Sequence, residues 1–360
     1  MKKNTFILKL IATLVCGFTA PLAAANNNCL TQENECEWTC GDGKITAGAD
    51  WLFFKIQQDG MNIGSIETTS AVNATIAKED FSLVNPNYKY HTGYRLHLGY
   101  ELPCESFQVD VIYTHLPTHA RTTKFSSSNI NTSEFIPNVE DFPMLGYKKT
   151  FSFNKANVVS SSNVVTSKWS AELNNIDVDV IRTIFFGDCL SLKPHMGFRA
   201  MWMDQKLRAN QSLSETQTLD GITSTEAVTS QAVLKERFKG LGIEGGLYID
   251  WNMGCGFSLL GHFGGSVLYT KISSLGEANI QSSILNDTPV TTRHSKNTVR
   301  TGIPTLDYFV GLQYTDHVCE MLVSGVVGWE QHVLFEANRL SANRGNLITQ
   351  GLTLGLKVGF

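Results

Sequence analysis

Apolar and polar residues alternate strictly over the last ten residues of the chain, 351-GLTLGLKVGF-360. The apolar positions are Leu352, Leu354, Leu356, Val358 and Phe360, and the residues between them are small or polar. A period of two places the two sets of side chains on opposite faces of a strand. A strand at the end of a chain is an exposed edge unless it pairs with another strand, and a closed barrel provides that neighbour. The pattern therefore predicts a barrel strand.

The same alternation recurs along the chain. A first segment covers residues 45–58 and carries Trp51, Phe53 and Phe54, aromatic rings of the kind that lie at membrane interfaces. Four hairpins follow, and each consists of a strand, a short turn with one cysteine, and a second strand. With the last strand at 347–360 the count is about ten, and a further hairpin around 147–159 would make it about twelve or more. The hairpins cover residues 93–116, 176–203, 241–270 and 307–333.

Long polar stretches, most of them rich in Ser, Thr and Asn, separate these units at about 61–87, 120–168, 206–232 and 272–303. Short periplasmic turns that alternate with long extracellular loops are the layout of an outer-membrane barrel. A soluble β-sandwich has no reason to place every short turn on one side. We therefore predict an all-β fold, an antiparallel transmembrane β-barrel over residues 44–360, with both ends of the barrel chain on the periplasmic side.

The N-terminus predicts export. Lys2, Lys3 and Lys9 flank an apolar stretch, and Ala23–Ala25 provides a cleavage site before Asn26. Residues 1–25 are therefore interpreted as a secretory signal peptide and residues 26–43 as a Cys-rich periplasmic segment. Together with the alternating strands, this places the protein in the outer membrane of a Gram-negative bacterium, where outer-membrane lipid is its first partner.

Charge and hydropathy narrow the class further. Residues 1–25 contain three Lys and no acid, so 26 Lys and Arg face 33 Asp and Glu in the remaining chain, a net charge of −7. An acidic chain without a basic stripe argues against a nucleic-acid partner. After the signal, no run approaches the ~18–20 apolar residues of a membrane helix. A membrane-spanning barrel also lacks such a run, because only every second strand residue faces lipid.

Cysteines are the candidates for covalent cross-links. Seven remain after the signal peptide, an odd number for an oxidising compartment, so at least one thiol is free or intermolecular. A zinc site at the N-terminal cluster lacks a nearby His and a standard spacing. Disulfides within the chain and disulfides between chains both remain open. The candidates are Cys29, Cys36, Cys40, Cys104, Cys189, Cys255 and Cys319.

Charged residues on the strands must face the lumen, because a charge at the bilayer midplane costs about 2–4 kcal/mol on the outer face. A lumen of mixed charge holds water and tunes which solutes pass. The alternative is a small barrel whose side chains pair with one another and fill the interior. The candidate pore-lining residues are Arg95, His97, Glu101, Asp110, Asp177, Asp179, Arg182, Arg199, Glu244, Asp250 and Lys357.

Three stretches carry a family resemblance: GADWLFFKIQQDG after a Cys-bearing N-terminus, GYRLHLGYEL-type strands with Cys-containing turns, and GLTLGLKVGF at the end. They resemble the major outer membrane porin family of Legionella and Chlamydia-like bacteria. The resemblance implies a general diffusion porin whose seven cysteines cross-link it in the envelope. The final strand also resembles the C-terminal signature of outer-membrane barrels, which makes Phe360 the candidate signal for the barrel-assembly machinery.

Enzyme motifs are missing from the sequence. It contains no G-x-S-x-G, H-E-x-x-H, P-loop or dinucleotide fingerprint. The histidines His97, His195 and His262 fall on the predicted inner face, where a lone His is most often a polar pore-lining group. We therefore expect no enzyme, cofactor or metal, and a porin-like channel for small hydrophilic solutes or ions. The competing hypothesis is a non-conducting surface barrel that acts as an adhesin or envelope protein. Homo-oligomers and disulfide-linked envelope proteins are the further partners considered.

Overall fold

The fold is described from a computed structural model. It covers residues 43–61, 64–71, 77–84, 86–103, 106–128, 134–137, 158–187, 189–219, 222–282, 291–318, 321–340 and 345–360. The predicted signal peptide, the Cys-rich segment up to residue 42, and Cys104 and Cys319 lie outside these ranges. So does most of the additional hairpin considered around 147–159. Within the described ranges there is no helix long and apolar enough to cross a membrane.

Strands account for almost all of the described residues, as the alternating sequence predicts. The strands are β1 (Lys44–Gln58), β2 (Gly64–Ala71), β3 (Ala77–Val84), β4 (Tyr90–Glu101), β5 (Phe107–Ser128), β6 (Glu134–Pro137), β7 (Val158–Arg182), β8 (Ile184–Phe186), β9 (Leu190–Leu219), β10 (Ile222–Gly254), β11 (Phe257–Ser282), β12 (Thr291–Val318), β13 (Met321–Asn338) and β14 (Gly345–Gly359).

Ten strands form a closed antiparallel ring in the order β1, β4, β5, β7, β9, β10, β11, β12, β13, β14, with the short β8 beside β9. The C-terminal strand β14 closes the ring because it pairs with β13 on one side and with β1 on the other. The last residue joins this seam, since Ile45 and Phe360 exchange backbone hydrogen bonds of 3.3 and 2.9 Å. The predicted all-β barrel of about ten strands is confirmed.

The strand ends that flank the short turns lie where the sequence predicts them, at one end of the barrel. The turn after β10 shows how the sequence forms it. Gly254, Cys255 and Gly256 have φ of 90°, 54° and 79°, a conformation that glycine adopts without steric strain. Asn252 supports the turn because its side-chain oxygen accepts a hydrogen bond of 2.9 Å from the Gly254 backbone.

The prediction that the long polar stretches are loops was wrong in large part. Strands β9 and β10 continue through residues 206–232 and remain paired from Trp251–Leu190 up to Ile222–Leu219. Strands β5 and β7, and β11 and β12, extend into the other two polar stretches in the same way. Residues 61–87, also predicted as a loop, contain β2 and β3, which form a small antiparallel sheet with β6.

The reason for this error is the composition of these stretches. Ser, Thr and Asn indicate loops by their frequency, but Thr and the β-branched residues among them favour extended backbone. A strand that has left the membrane faces water, so its outer face no longer needs apolar side chains. The alternating hydrophobic signal therefore disappears where the strands themselves continue.

Outward side chains are apolar over one level of the barrel, which we call the apolar band. On β10 the band runs from Leu241, 62% exposed, to Trp251, 52% exposed. This length matches the roughly 9–11 residues that a tilted strand needs to cross a bilayer. On β12 the band runs from Tyr308 to Tyr314, two aromatic residues with Val310 between them.

Charge marks the edge of the band that faces away from the short turns. Lys235, Arg237 and Lys239 are the outward residues of β10 just before Leu241, and all three are exposed. Charged side chains at this level require water rather than hydrocarbon. Most of the long β9–β10 hairpin therefore stands outside the membrane.

The band predicts the effect of a charge on β12. The variant Val310→Arg places a guanidinium on the lipid face, 61% exposed in the middle of the band. We expect the free energy of unfolding in lipid vesicles to fall by about 2–4 kcal/mol. The matched control Thr298→Arg lies on the same outward face of β12 but beyond the band, and its unfolding should change little. Equal losses in both variants, measured by denaturant titration, would contradict this placement of the membrane.

Candidate functional site

The inward side chains at the level of the apolar band enclose a cavity of about 360 Å³, which we call the chamber. Eight carboxylates line it, against four Lys and Arg. The charged and histidine side chains around the chamber are Asp50, Arg95, His97, Asp110, Asp177, Asp179, Lys193, His195, Arg199, Glu244, Asp250, His262, Asp307, Glu330, His332 and Lys357.

Arg199 is the centre of one ion network in the chamber. Its Nε donates to Asp177 Oδ1 at 2.8 Å, and its Nη2 lies 2.7 Å from Glu244 Oε2. Its Nη1 donates to Asp307 Oδ2. These carboxylates come from β7, β10 and β12, so one guanidinium on β9 joins strands on different sides of the lumen. A buried arginine is stable only when its donors are matched by acceptors in this way.

A second network surrounds Arg95 on β4. Its guanidinium donates to both carboxylate oxygens of Glu330, at 3.0 and 2.6 Å, in a bidentate arrangement. The same guanidinium lies 3.6 Å from Asp50, which also contacts His97 Nε2 at 2.7 Å. Thr353 donates its hydroxyl to Glu330 at 2.8 Å. These contacts join four neighbouring strands of the ring, β13, β14, β1 and β4.

His332 joins the two networks. Its Nδ1 lies 2.7 Å from Asp307 Oδ1, and its Nε2 lies 2.7 Å from Glu330 Oε1. Because both ring nitrogens face carboxylate oxygens, this is the arrangement of an imidazole that donates from both nitrogens. The charged side chains therefore form one connected set across the barrel.

Two further histidines lie beside these networks. His195 Nε2 and His262 Nε2 are 3.2 Å apart, and the Tyr248 ring stacks on His262 at 4.3 Å. His195 Nδ1 lies 3.4 Å from Asp179 Oδ1. Glycine at position 246 makes room for the first ring, since a Cβ there would lie 2.6 Å from His195 Nε2.

Several buried polar atoms on the lumen side lack a well-formed hydrogen bond to the described part of the protein. Buried polar groups normally have partners, and each one left without costs roughly 1–3 kcal/mol. Their concentration on the lumen side makes the chamber suitable for polar contents such as water, ions or small hydrophilic solutes. No group of three His, Cys, Asp or Glu within the described ranges is arranged to hold a metal ion. The atoms are Asn175 Oδ1, Asp179 Oδ1, His195 Nδ1 and Glu244 Oε1.

Nine of the predicted pore-lining residues border the chamber, and Glu101 and Arg182 do not. Glu101 is on the inward face but is the exposed last residue of β4, beyond the end of the cavity. Arg182 points outward because Ile181 takes the inward position, and its guanidinium lies 5.5 Å from the Phe107 ring. The nine are Arg95, His97, Asp110, Asp177, Asp179, Arg199, Glu244, Asp250 and Lys357.

Several residues of the networks are not among those predicted from the sequence. Asp50, Asp307, Glu330 and His332 were not among the candidates, although they hold Arg95 and Arg199 in place. The alternating sequence pattern nevertheless marks these four positions as inward-facing. Each occupies an inward position of a predicted strand; Asp50 and Asp307 lie between apolar residues, whereas Glu330 and His332 are separated by the polar Gln331.

The lumen changes character on the side away from the short turns. There the inward residues are apolar and fully buried, and we call them the apolar layer. Every strand of the ring except β4 contributes to it. On β1, for example, the inward-facing residues that come after the chamber residue Asp50 along the strand are Leu52, Phe54 and Ile56. None of the three is more than 1% exposed. Other members include Leu116, Trp169, Met203, Phe238, Leu268, Ile303, Leu334 and Leu347.

The two described cysteines of the short turns differ. Cys189 is an exposed free thiol at the turn before β9, and its backbone oxygen accepts a hydrogen bond of 2.7 Å from Asn252. Cys255 is disulfide-bonded. The short-turn end of the barrel therefore presents at least one thiol to the surroundings.

Comparison with known proteins confirms the family resemblance. Residues 39–360 match the model of the family described as the Legionella pneumophila major outer membrane protein precursor. No curated protein has a significantly similar sequence. Similar solved structures include the outer membrane protease OmpT from Escherichia coli, at 11% identity and a TM-score of 0.39, covering 88% of this chain and 97% of that one. A major outer membrane protein from Thermus thermophilus has 12% identity and a TM-score of 0.32, covering 89% and 100%.

Removing Arg199 tests the energetic role of the networks. The variant Arg199→Met leaves three buried carboxylates without their shared partner, so we expect a loss of about 3–5 kcal/mol in the free energy of unfolding. The matched control is Lys193→Met on the same strand. Its 3.4 Å pair with Asp250 is more exposed, at 33% and 23%, and should be worth less than about 1 kcal/mol. Denaturant unfolding that shows equal losses would contradict the central role of Arg199.

Proposed function

The chain belongs to the Legionella major outer membrane protein family, and on that premise we propose that it is a porin-like channel for small hydrophilic solutes or ions. The observation that carries the proposal is the chamber, a cavity of about 360 Å³ lined by charged and histidine side chains inside the membrane-spanning level of the barrel. Each buried ion must be removed from water at a cost of several kcal/mol, which favours a lumen that water or small solutes enter.

The charges of the chamber suggest what it would conduct. Carboxylates outnumber Lys and Arg by eight to four around it. Acidic linings attract cations and repel anions at short range. Small cations and neutral hydrophilic solutes are therefore the substrates that this lining would pass most readily, and the narrow ten-stranded ring limits their size.

The apolar layer would act as the barrier of such a channel. Hydrophobic constrictions stop ions because water leaves them, and conduction begins when they widen or hydrate. Leu52, Phe238 and Leu347 are all fully buried in this layer. The described conformation is therefore the closed state in our proposal, and conduction would require rearrangement of the layer.

Thiol modification on the two faces of β12 tests whether conduction runs through the lumen. Gln313 lines the chamber, whereas its neighbour Leu312 is 48% exposed on the outer face. We expect discrete single-channel steps from the refolded protein in a planar bilayer. A charged methanethiosulfonate reagent should reduce these steps in Gln313→Cys but not in Leu312→Cys, relative to the equally treated wild type. Equal responses of the two variants would contradict a lumenal path.

A non-conducting surface barrel is the second candidate, and the same apolar layer favours it. If the layer never opens, the ring is a rigid support for the long hairpins that extend beyond the membrane, such as β9–β10. Persistent electrical silence from a protein that is verifiably folded would select this alternative. Shortening the hairpins would then abolish binding to neighbouring or host cells, whereas a channel would keep its conductance.

We also propose export through residues 1–25, from the basic and apolar pattern of that segment. The family resemblance leads us to propose disulfide cross-linking in the envelope. Cys189 is the described thiol available for a bond to another chain. We expect higher-mass bands on non-reducing gels of outer membranes, and their loss or reduction in Cys189→Ser. The control Ser191→Ala lies two residues away on β9 and should leave them intact. Unchanged bands in Cys189→Ser would exclude this thiol as the link.

A further inference from the structure

The end of β13 bulges out of its regular pairing with β14, and some of its side chains turn into the lumen. Leu334 pairs with Leu347, but the next pair is Asn338 with Gly345, so three residues of β13 stand opposite Asn346 alone. Glu336, in the middle of this bulge, has a φ of 51°. Bulges of this kind redirect the chain away from the sheet. We call residues 335–340 the strap.

Part of the strap is packed inside the barrel, whereas Phe335 and Glu336 are exposed. Ala337 and Asn338 are 0% exposed and Leu340 is 5% exposed. Ala337 and Leu340 belong to the apolar layer, together with wall residues from β1, β10 and β11. The strap therefore covers the layer on the side that faces away from the short turns.

Polar contacts hold both sides of the strap. Asn338 donates its side-chain amide to the Asp59 backbone oxygen at 2.6 Å, and its side-chain oxygen accepts from the Leu340 backbone at 3.0 Å. On the far side, the Arg339 backbone donates to the carboxyl group of Glu236 on β10. In the ring, β11 and β12 lie between β13 and β10, so this contact crosses part of the lumen.

Neighbours on both adjacent strands donate hydrogen bonds to Glu236 and hold its carboxyl group in position. Glu236 is 2% exposed. Gln205 of β9 donates to it at 3.1 Å, Ser274 of β11 donates at 3.5 Å, and Trp169 of β7 fixes Gln205 through a 3.1 Å hydrogen bond. Of the charged groups in the described ranges, Arg339 of the strap is the one whose charge lowers the pKa of this carboxyl group.

We propose that the strap is the gate of the channel and that Glu236 is the latch that holds it shut. This inference rests on the proposed channel function and specifies its regulation. Closure places Ala337 and Leu340 in the apolar layer. Opening breaks the contact between Glu236 and the Arg339 backbone, withdraws the two apolar side chains, and lets water reach the layer from the side of the long hairpins.

The latch gives the gate a pH dependence. Glu236 lies beyond the apolar band, since Lys235, Arg237 and Lys239 beside it are exposed. Burial raises the pKa of Glu236 from 4.5 to about 8 while the strap is closed. In the open state the carboxyl group meets water and its pKa falls back towards the ordinary value. The closed state therefore binds more protons between these two values, so rising pH favours opening across this window, and pH below about 4.5 has no further effect.

Variants of Glu236 test the gate in planar bilayers. Glu236→Ala removes the acceptor of the strap, and we expect its open probability near pH 6 to rise about tenfold, the shift expected when a buried hydrogen bond is lost. Glu236→Gln keeps an acceptor oxygen but cannot ionise, so its open probability should stay low and flat from pH 5 to pH 9. The wild type should open increasingly over that range. Lys235→Ala, an outward neighbour, is the matched control and should follow the wild type.

A labelling experiment follows the strap without relying on conduction. In Leu340→Cys the new thiol is buried, so a charged thiol reagent should react slowly, and faster when Glu236→Ala is added. Single-channel steps that are identical in wild type and Glu236→Ala would contradict the gate but not the channel. The same holds if the labelling rate of Leu340→Cys does not change when Glu236→Ala is added. Silence of the folded wild type and of Glu236→Ala would overturn the channel itself, and the gate with it.

Discussion

Closure of the backbone hydrogen bonds around the ring is the constraint on which this structure depends. In hydrocarbon there is no water to satisfy an open strand edge, so a sheet can cross a membrane only when its first and last strands pair. Here β1 and β14 supply that seam, from Thr46–Gly359 to Gln58–Leu347. The alternation of the terminal ten residues follows from it, because the last strand must present one face to lipid and one to the lumen.

A ring of ten strands also fixes what happens inside. The inner faces are close enough for side chains from opposite strands to touch, so charged residues meet partners rather than bulk water. Arg199 and Arg95 each bind carboxylates from several strands, and His332 joins their networks. The buried networks make the membrane-level half of the lumen polar, while the apolar layer excludes water from the other half.

The two halves of the lumen have opposite effects on the proposed passage of solutes. The chamber favours passage of ions and small solutes, whereas the apolar layer and the strap oppose it. A gate formed by a bulged strand end reconciles both features, because a segment held by a few hydrogen bonds moves at a much lower free-energy cost than the wall. The wall strands are paired with neighbours continuously on both sides, whereas the strap interrupts its pairing with β14 between Leu334 and Asn338. It is also held by the side chains of Asn338 and Glu236 and by the Glu336 backbone.

Local pattern was sufficient for much of the fold. The four hairpins, their short turns and the terminal strand could be predicted because lipid imposes an apolar residue at every second position, and that requirement is written in the sequence residue by residue. The same rule identified nine of the chamber residues. It was wrong for Arg182, because at the end of β7 the inward position belongs to Ile181.

The sequence by itself determined the membrane-level barrel, its strand number to about ten or twelve, and the side to which most charged residues point. Only the tertiary structure decided which charges pair, since Arg199 and Asp307 are 108 residues apart along the chain. It also decided how far the strands continue into water and where β13 turns inward. These features depend on contacts between distant strands, and outside the bilayer no solvent imposes a local pattern that would reveal them.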